Sequence, residues 1–290
     1  MSTDLLLGPT WFVGCGNMAG AMVEGWRSAD VALSQAVAIR PSGTPVEGVR
    51  TVQSVGEAGR PPKIVILGFK PQKLDQIAKQ LAPRLSAQTV VISILAGVEV
   101  ASLRDRFPGA AAIVRAMPNL PVAVRRGVVS LYSANADDAL RQQLKQLFSV
   151  LGFVAWTASE AELAAIGALA GAGPAYVARF IAALAKAGVK RGLDPAIAAT
   201  VALETVFGTG WLAAGSGEPM DSIARRVASP NGTTEAGLAV LDRDDVLDGL
   251  INVTIEAAAR RGAELAQAAR GSKIAASAAL DQVPPGTRTH

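Results

Sequence analysis

Three hydroxyl side chains stand close together late in the chain, in Val227-Ala228-Ser229-Pro230-Asn231-Gly232-Thr233-Thr234-Glu235-Ala236-Gly237-Leu238. The proline and glycine read as a turn, and the apolar spacing of Ala236, Leu238, Val240 and Leu241 reads as a helix leaving it. A helix start presents unpaired backbone N–H groups and a partial positive charge, so it receives a small carboxylate or phosphate without any basic side chain. Ser229, Thr233 and Thr234 would then orient what arrives, with Gly232 letting it approach the backbone. The plainer alternative is an ordinary capped helix with Thr233 or Thr234 as its N-cap. A second chemical candidate lies near the N-terminus, where the strand-like Thr10-Trp11-Phe12-Val13 runs into Gly14-Cys15-Gly16-Asn17-Met18-Ala19. This is Gly-x-Gly-x-x-Ala opening a helix whose apolar positions are Met18, Met22 and Trp26. Gly14 permits a tight turn, Gly16 lets a pyrophosphate reach the backbone, and Ala19 lets the helix lie close to the strand.

What the chain lacks narrows the chemistry further. Its 290 residues include one cysteine and one histidine, His290 at the end. A His/Cys metal centre, a Ser-His-Asp triad and an internal disulfide have no parts to be built from. Reactivity therefore falls to hydroxyls, backbone groups, lysines, carboxylates or a cofactor, with Cys15 read as a small wall residue. A net charge of +4, from 28 basic and 24 acidic residues, is too small and too dispersed to argue for nucleic acid. No run of about 18 uninterrupted apolar residues reads as a membrane span, so no membrane partner is expected. The acidic start Met1-Ser2-Thr3-Asp4 and the interruption at Gly8-Pro9 do not read as a signal peptide, and a cytoplasmic protein is expected.

Stepping from these candidates to the elements that hold them, a second strand, Ala36 to Ile39, ends in Arg40-Pro41-Ser42. An NAD-binding fold places an acidic residue there for the ribose 2′-hydroxyl; a cation and a hydroxyl suit a 2′-phosphate. NADP(H) is favoured, NAD(H) is possible, and a solvated loop arginine is the bland alternative. Lys63 to Gln72 contains a buried strand with Gly68-Phe69-Lys70-Pro71 at its C-terminal edge, where ligands of parallel sheets lie, making Lys70 a cofactor contact. Strands at Thr89 to Ile94, Ala112 to Arg115 and Gly127 to Tyr132 follow; the first leads into Leu95-Ala96-Gly97, small residues where the cofactor's nicotinamide ribose could pass, and the second into Met117-Pro118-Asn119, with Asn119 offering an amide to the substrate. Helical patterns at Leu74 to Ala82 and Ala136 to Leu151 alternate with them. The fold class expected is α/β: an N-terminal Rossmann-like, doubly wound, mainly parallel sheet followed by an all-helical C-terminal dimerisation domain. After Trp156 only helices are expected: Glu160 to Ala170, Pro174 to Arg191, Pro195 to Ala214, Met220 to Val227, Thr234 to Leu241 and Val246 to Ala269. Several are apolar nearly all round and call for burial against another subunit. The domains read as an extension at 1–9, a nucleotide domain at 10–158, a helical domain at 159–270 and a disordered tail at 271–290.

These residues together resemble the pyrroline-5-carboxylate reductases, colinearly over about residues 10–270. The resemblance rests on Phe12-Val13-Gly14-Cys15-Gly16-Asn17-Met18, Phe69-Lys70-Pro71-Gln72, Ser93 to Val98, Arg115-Ala116-Met117-Pro118-Asn119, Gly173-Pro174-Ala175-Tyr176-Val177, Ala187 to Lys190 and the hydroxyl-rich turn. It implies that NAD(P)H gives a hydride to the C=N bond of 1-pyrroline-5-carboxylate, yielding L-proline in the last step of proline biosynthesis. It also implies interlocked helical domains in a homodimer, with assemblies of five dimers common in the family. Carried over, Ser229, Thr233 and Thr234 hold the substrate carboxylate, and the Thr234 hydroxyl approaches the ring nitrogen. Asn231 stands where the first of two glycines is usual, Leu120 replaces a threonine, and Arg125-Arg126 replace Gly-Glu. Gly171-Ala172-Gly173 lacks the usual serines, and Ala182 and Glu204 replace Glu and Gln. These departures bear on the choice of substrate and leave the fold alone. A reductase of another cyclic imine and a non-catalytic NADP(H)-binding protein remain alternatives. A hydroxyacid dehydrogenase would call for Lys186 or Lys190, which a solvated helix face explains better.

Overall fold

The computed structural model describes residues 5, 6 and 8–280. Its first unit is an eight-stranded sheet in the order β3-β2-β1-β4-β5-β6-β7-β8. The strands are β1 (Thr10–Val13), β2 (Ala36–Ile39), β3 (Arg50–Val52), β4 (Ile64–Leu67), β5 (Val90–Ser93), β6 (Ala112–Pro118), β7 (Gly127–Tyr132) and β8 (Gly152–Trp156). All neighbouring pairs are parallel except β6 and β7, so the last two strands run against the rest. The inner strands β1, β2, β4 and β5 are buried along their whole length, which is why they read as continuous apolar runs rather than alternating ones. Helices α1 (Asn17–Ser28), α2 (Leu74–Leu81), α3 (Val100–Arg106) and α4 (Asp138–Ser149) connect them. One apolar layer centres on Phe12, Met22, Trp26 and Phe148, the other, across the sheet, on Trp11, Leu67, Leu103 and Phe107.

Three elements of this unit go beyond the sequence reading: β8 at the sheet edge, β3 and α3. β3 is three residues with an exposed arginine at its start, too short and polar to show a strand period. α3 is seven residues with one buried side chain, Leu103.

Helices α5 (Glu160–Ile166), α6 (Gly173–Lys190), α7 (Pro195–Ser216), α8 (Met220–Val227), α9 (Thr233–Leu241) and α10 (Val246–Leu280) complete the chain. Between α5 and α6, Gly167–Gly171 forms a π-helical turn. By compactness, Ala172–Ala257 form the second unit, and the described part of α10 from Ala258 belongs to the first. α10 runs to Leu280, into the segment from Gly271 expected to be a disordered tail. Residues 281–290 of that expected tail lie outside the described residues.

The second unit, taken alone, buries little. α6 has no buried residue and α7 buries only Ala198 and Ala202. Phe180, Leu203, Phe207 and Trp211 are each at least half exposed. Two stretches, 160–190 and 195–216, are long and apolar enough to cross a membrane by length and composition, which the search for uninterrupted apolar runs did not reveal.

Candidate functional site

At the end of β1, Gly14 adopts φ +77°, and a Cβ there would lie 2.7 Å from that of Phe69. A Cβ on Gly68 would come within 2.5 Å of the Gly14 carbonyl and 3.1 Å of Ala19, so all three positions must be small for α1 to start so close to the strands. Gly16 is different: nothing lies within 4 Å of its would-be Cβ. It is the N-cap of α1, with no side-chain cap and no acidic residue in the first turn, so the helix end opens onto a groove of about 610 Å³. Asn17 and Cys15 line that groove with Arg40 and Leu120. Met18 sits half-buried on the core, while Phe12 and Val13 are strand residues inside it. Burial raises the Cys15 thiol to about 11, with the positive charge of Arg40 opposing the shift.

Arg40 leaves β2 into a turn closed by the Gly43 N–H on its carbonyl (2.9 Å), and its guanidinium donates to the carbonyls of Thr44 (2.9 Å) and Pro45 (3.5 Å). The Ser42 and Thr44 hydroxyls lie 2.9 Å apart, gathering a cation and two hydroxyls on one exposed loop. Lys70 and Pro71 stand at the C-terminal edge of β4, Lys70 exposed at the head of a short 3-10 turn. Leu95 is buried and Ala96 exposed; at the next position, Gly97 (φ +73°), a Cβ would meet the α10 backbone at Leu265 and Ala266 within 3.1 Å. That glycine serves a helix contact the sequence does not announce. Asn119 is buried, and its amide is engaged at both ends: Oδ1 accepts from the Val128 N–H (2.8 Å) and Nδ2 donates to the Ala170 carbonyl (3.0 Å). It ties β7 to the π-helical turn.

The hydroxyl-rich turn belongs to the second unit. The Gly232 N–H donates to the Ser229 carbonyl (2.9 Å), and Asn231 takes φ +57°, giving a tight turn with proline second and a left-handed residue third. Asparagine is the non-glycine residue best suited to that angle, so its replacement of glycine leaves the turn in place. A Cβ on Gly232 would meet the Ser229 Oγ and, at 2.9 Å, the Ser229 carbonyl oxygen. Gly232, not a threonine, is the N-cap of α9, and no side chain caps it. The turn is braced from inside the helix: Glu235 reaches back to accept the Asn231 N–H at 2.6 Å, a contact the sequence reading missed although the four-residue spacing carries it. Ser229, Thr233 and Thr234 remain exposed around a helix N-terminus. Among the described residues no group of His, Cys, Asp and Glu is arranged to hold a metal.

Comparison with known proteins agrees with this arrangement. Residues 11–97 match the family described as NADP oxidoreductase coenzyme F420-dependent, and residues 160–265 match pyrroline-5-carboxylate reductase dimerisation. A pyrroline-5-carboxylate reductase of Pseudomonas aeruginosa is 35% identical over 263 residues, covering 88% of this chain and 96% of that one. The chain belongs to the pyrroline-5-carboxylate reductase family. Pyrroline-5-carboxylate reductase 2 of Bacillus subtilis is 31% identical over 91% of this chain and 97% of its own. Among solved structures, a pyrroline-5-carboxylate reductase of Coxiella burnetii superposes with a TM-score of 0.82 at 29% identity, covering 89% of this chain and 98% of that one. The Plasmodium falciparum pyrroline carboxylate reductase with NADP bound gives 0.79 at 25% identity, covering 90% and 98%. The bare apolar faces of α6 and α7 fall within the region that matches the family's dimerisation model.

Proposed function

We propose that this protein reduces the C=N bond of 1-pyrroline-5-carboxylate with NADPH, forming L-proline. The observation that carries this reading is the turn Ser229-Pro230-Asn231-Gly232, locked by its own hydrogen bonds while the hydroxyls of Thr233 and Thr234 stand uncommitted to capping. NADPH, when bound, supplies the hydride, which goes to the imine carbon while one proton goes to the nitrogen. The open N-terminus of α1 and the space at Gly16 fit a pyrophosphate, and Arg40, Ser42 and Thr44 fit a 2′-phosphate. The Plasmodium relative, solved with NADP, supports the same choice. NADH is the weaker cofactor in this reading, and Lys70, Pro71 and Ala96 flank the nucleotide from the β4 and β5 edges.

At the other end, the first N–H groups of α9 and the hydroxyls of Ser229 and Thr233 hold the substrate carboxylate. The Thr234 hydroxyl orients the ring nitrogen, and with no histidine among the described residues the proton comes from water. Holding the imine against the donor is the larger part of the catalysis. Asn119 acts through the elements it ties together. The homodimer is the working unit; assemblies of several dimers and a cytoplasmic location complete the proposal. Leu120, 56% exposed on the nucleotide groove where the family pattern has threonine, favours a second arm in the test. NADPH oxidation at neutral pH is followed with 1-pyrroline-5-carboxylate, with a six-membered cyclic imino acid, and with NADH as donor. Fastest turnover of the five-membered substrate with NADPH is expected. Turnover confined to the six-membered ring would move the assignment to that substrate.

A further inference from the structure

The eight-stranded sheet ends differently on its two sides. β3, at one edge, is three residues long, and Arg50 folds its guanidinium onto the Glu57 and Ala58 carbonyls of the following turn. Such short, charged edges resist pairing. β8, at the other edge, is the five-residue run Gly-Phe-Val-Ala-Trp, with no charge and no proline. The Gly127 N–H donates to the Leu151 carbonyl (3.0 Å) and the Thr157 N–H to the Leu131 carbonyl (2.8 Å). That alternation turns the backbone groups of Phe153 and Ala155 toward β7 and those of Gly152, Val154 and Trp156 outward, where no further strand meets them among the described residues. α4 covers one face of β8 through Trp156, whose Nε1 donates to the Arg141 carbonyl at 3.1 Å. On the opposite face Phe153 is 67% exposed.

We propose that β8 pairs antiparallel with β8 of a second copy, about a two-fold axis at Val154, joining the two sheets edge to edge. The side chains fit this register and no other symmetric one as well. With Val154 on the axis, Phe153 faces the partner's Ala155, and Trp156 faces the partner's Gly152, so each large side chain lies across from a small one on its own face of the sheet. An aromatic ring across from a glycine is the favoured cover for that residue. Gly152 cannot be other than glycine for an independent reason: at φ +138° its would-be Cβ falls inside the Gly127 backbone. The occupant is a second copy because a two-fold partner already exists in the family, and β8 ends four residues before the matched dimerisation region begins at residue 160. A symmetric interface also requires a self-complementary strand, which this one is.

Site-resolved amide hydrogen exchange on the full-length wild-type protein tests the pairing directly. Within a free edge strand only alternate amides are protected, Phe153 and Ala155, and Gly152, Val154 and Trp156 exchange rapidly. The paired strand protects all five, with outward amides slowed at least about a hundredfold relative to a free edge. Rapid exchange at Val154 overturns the proposal. The register is tested by co-expressing Phe153→Cys and Ala155→Cys single variants. These positions form a pair without mutual hydrogen bonds, about 4.5 Å apart between Cα atoms, within disulfide reach. Oxidation is expected to link the two variants covalently. Protection of Val154 without that link would mean that some other segment occupies the edge, and would equally overturn it.

Discussion

In the function proposed, Thr234 is the residue on which the chemistry turns, and its helix position makes it separable from the fold. Its side chain is exposed and caps nothing, so Thr234→Ala leaves α9 intact. Loss of the group that orients the imine is expected to lower kcat about a hundredfold, with NADPH affinity, read by fluorescence titration, unchanged; equal loss of both would place Thr234 at the nucleotide instead. Arg40 does two things at once. Arg40→Asp should weaken NADPH about tenfold or more, or ~1.4 kcal/mol, while NADH gains little, because the same guanidinium holds the Thr44 and Pro45 carbonyls that shape the loop. The KM ratio for the two cofactors checks this. Cys15 gives a pH prediction. Burial raises its thiol from 9.0 to about 11, so the folded protein holds that proton more tightly than the unfolded chain. The stabilisation is complete below pH 9 and declines as pH rises toward 11. Denaturant midpoints should fall over that range in the wild type and fall less in Cys15→Ala. The residue types at both sites were legible in the sequence because they stand in short contiguous motifs. The work of Asn119 was not, since its partners Val128 and Ala170 are brought to it only by the fold.

Elements explain the departures from the family pattern better than residues do. Arg125 occupies a left-handed position, φ +58°, at the end of the turn Leu120–Val124, where the family pattern has glycine. Its guanidinium reaches the Val150 carbonyl (3.2 Å) and the Ser28 carbonyl (3.5 Å) at the end of α1. Strain of roughly 1–2 kcal/mol for a side chain at that angle is thus set against two exposed hydrogen bonds and the lower entropy of a non-glycine unfolded chain. Arg125→Gly should therefore change the unfolding free energy by less than about 1 kcal/mol, and a chemical denaturation curve decides it. The interior strands could be read because they are apolar runs bounded by turn residues. β3 and α3 could not, being held by their neighbours rather than by their own pattern. The π-helical turn is invisible for a related reason: Gly167-Ala168-Leu169-Ala170-Gly171 continues the apolar spacing of α5, and the wider winding is set by packing, with Gly167 lying over Met117. The hydroxyl turn was legible down to Asn231, whose backbone angle is as its residue type demands.

At the scale of the whole molecule the two units have opposite economies. The sheet unit encloses two apolar layers of its own, whereas the helical unit leaves Phe207 and Trp211, stacked with ring centroids 6.1 Å apart, facing outward. Phe207→Asp should place a charge in the dimer interface, shift the protein to monomer on size exclusion with light scattering, and abolish turnover without removing nucleotide binding. A dimer of unchanged mass that also keeps full turnover would show that this pair lies outside the interface. The need for a partner could be read from helices apolar all round; which strand edges and faces meet could not, because self-complementarity is a property of surfaces and not of periods. The same unfinished helical unit sets a clock on assembly. A unit that encloses only Ala198, Ala202 and Ile223 gains most of its burial by meeting a partner, so the step that completes it is second order in protein, and at low synthesis rates unpaired chains wait longest with their greasiest surfaces open to proteases and to each other.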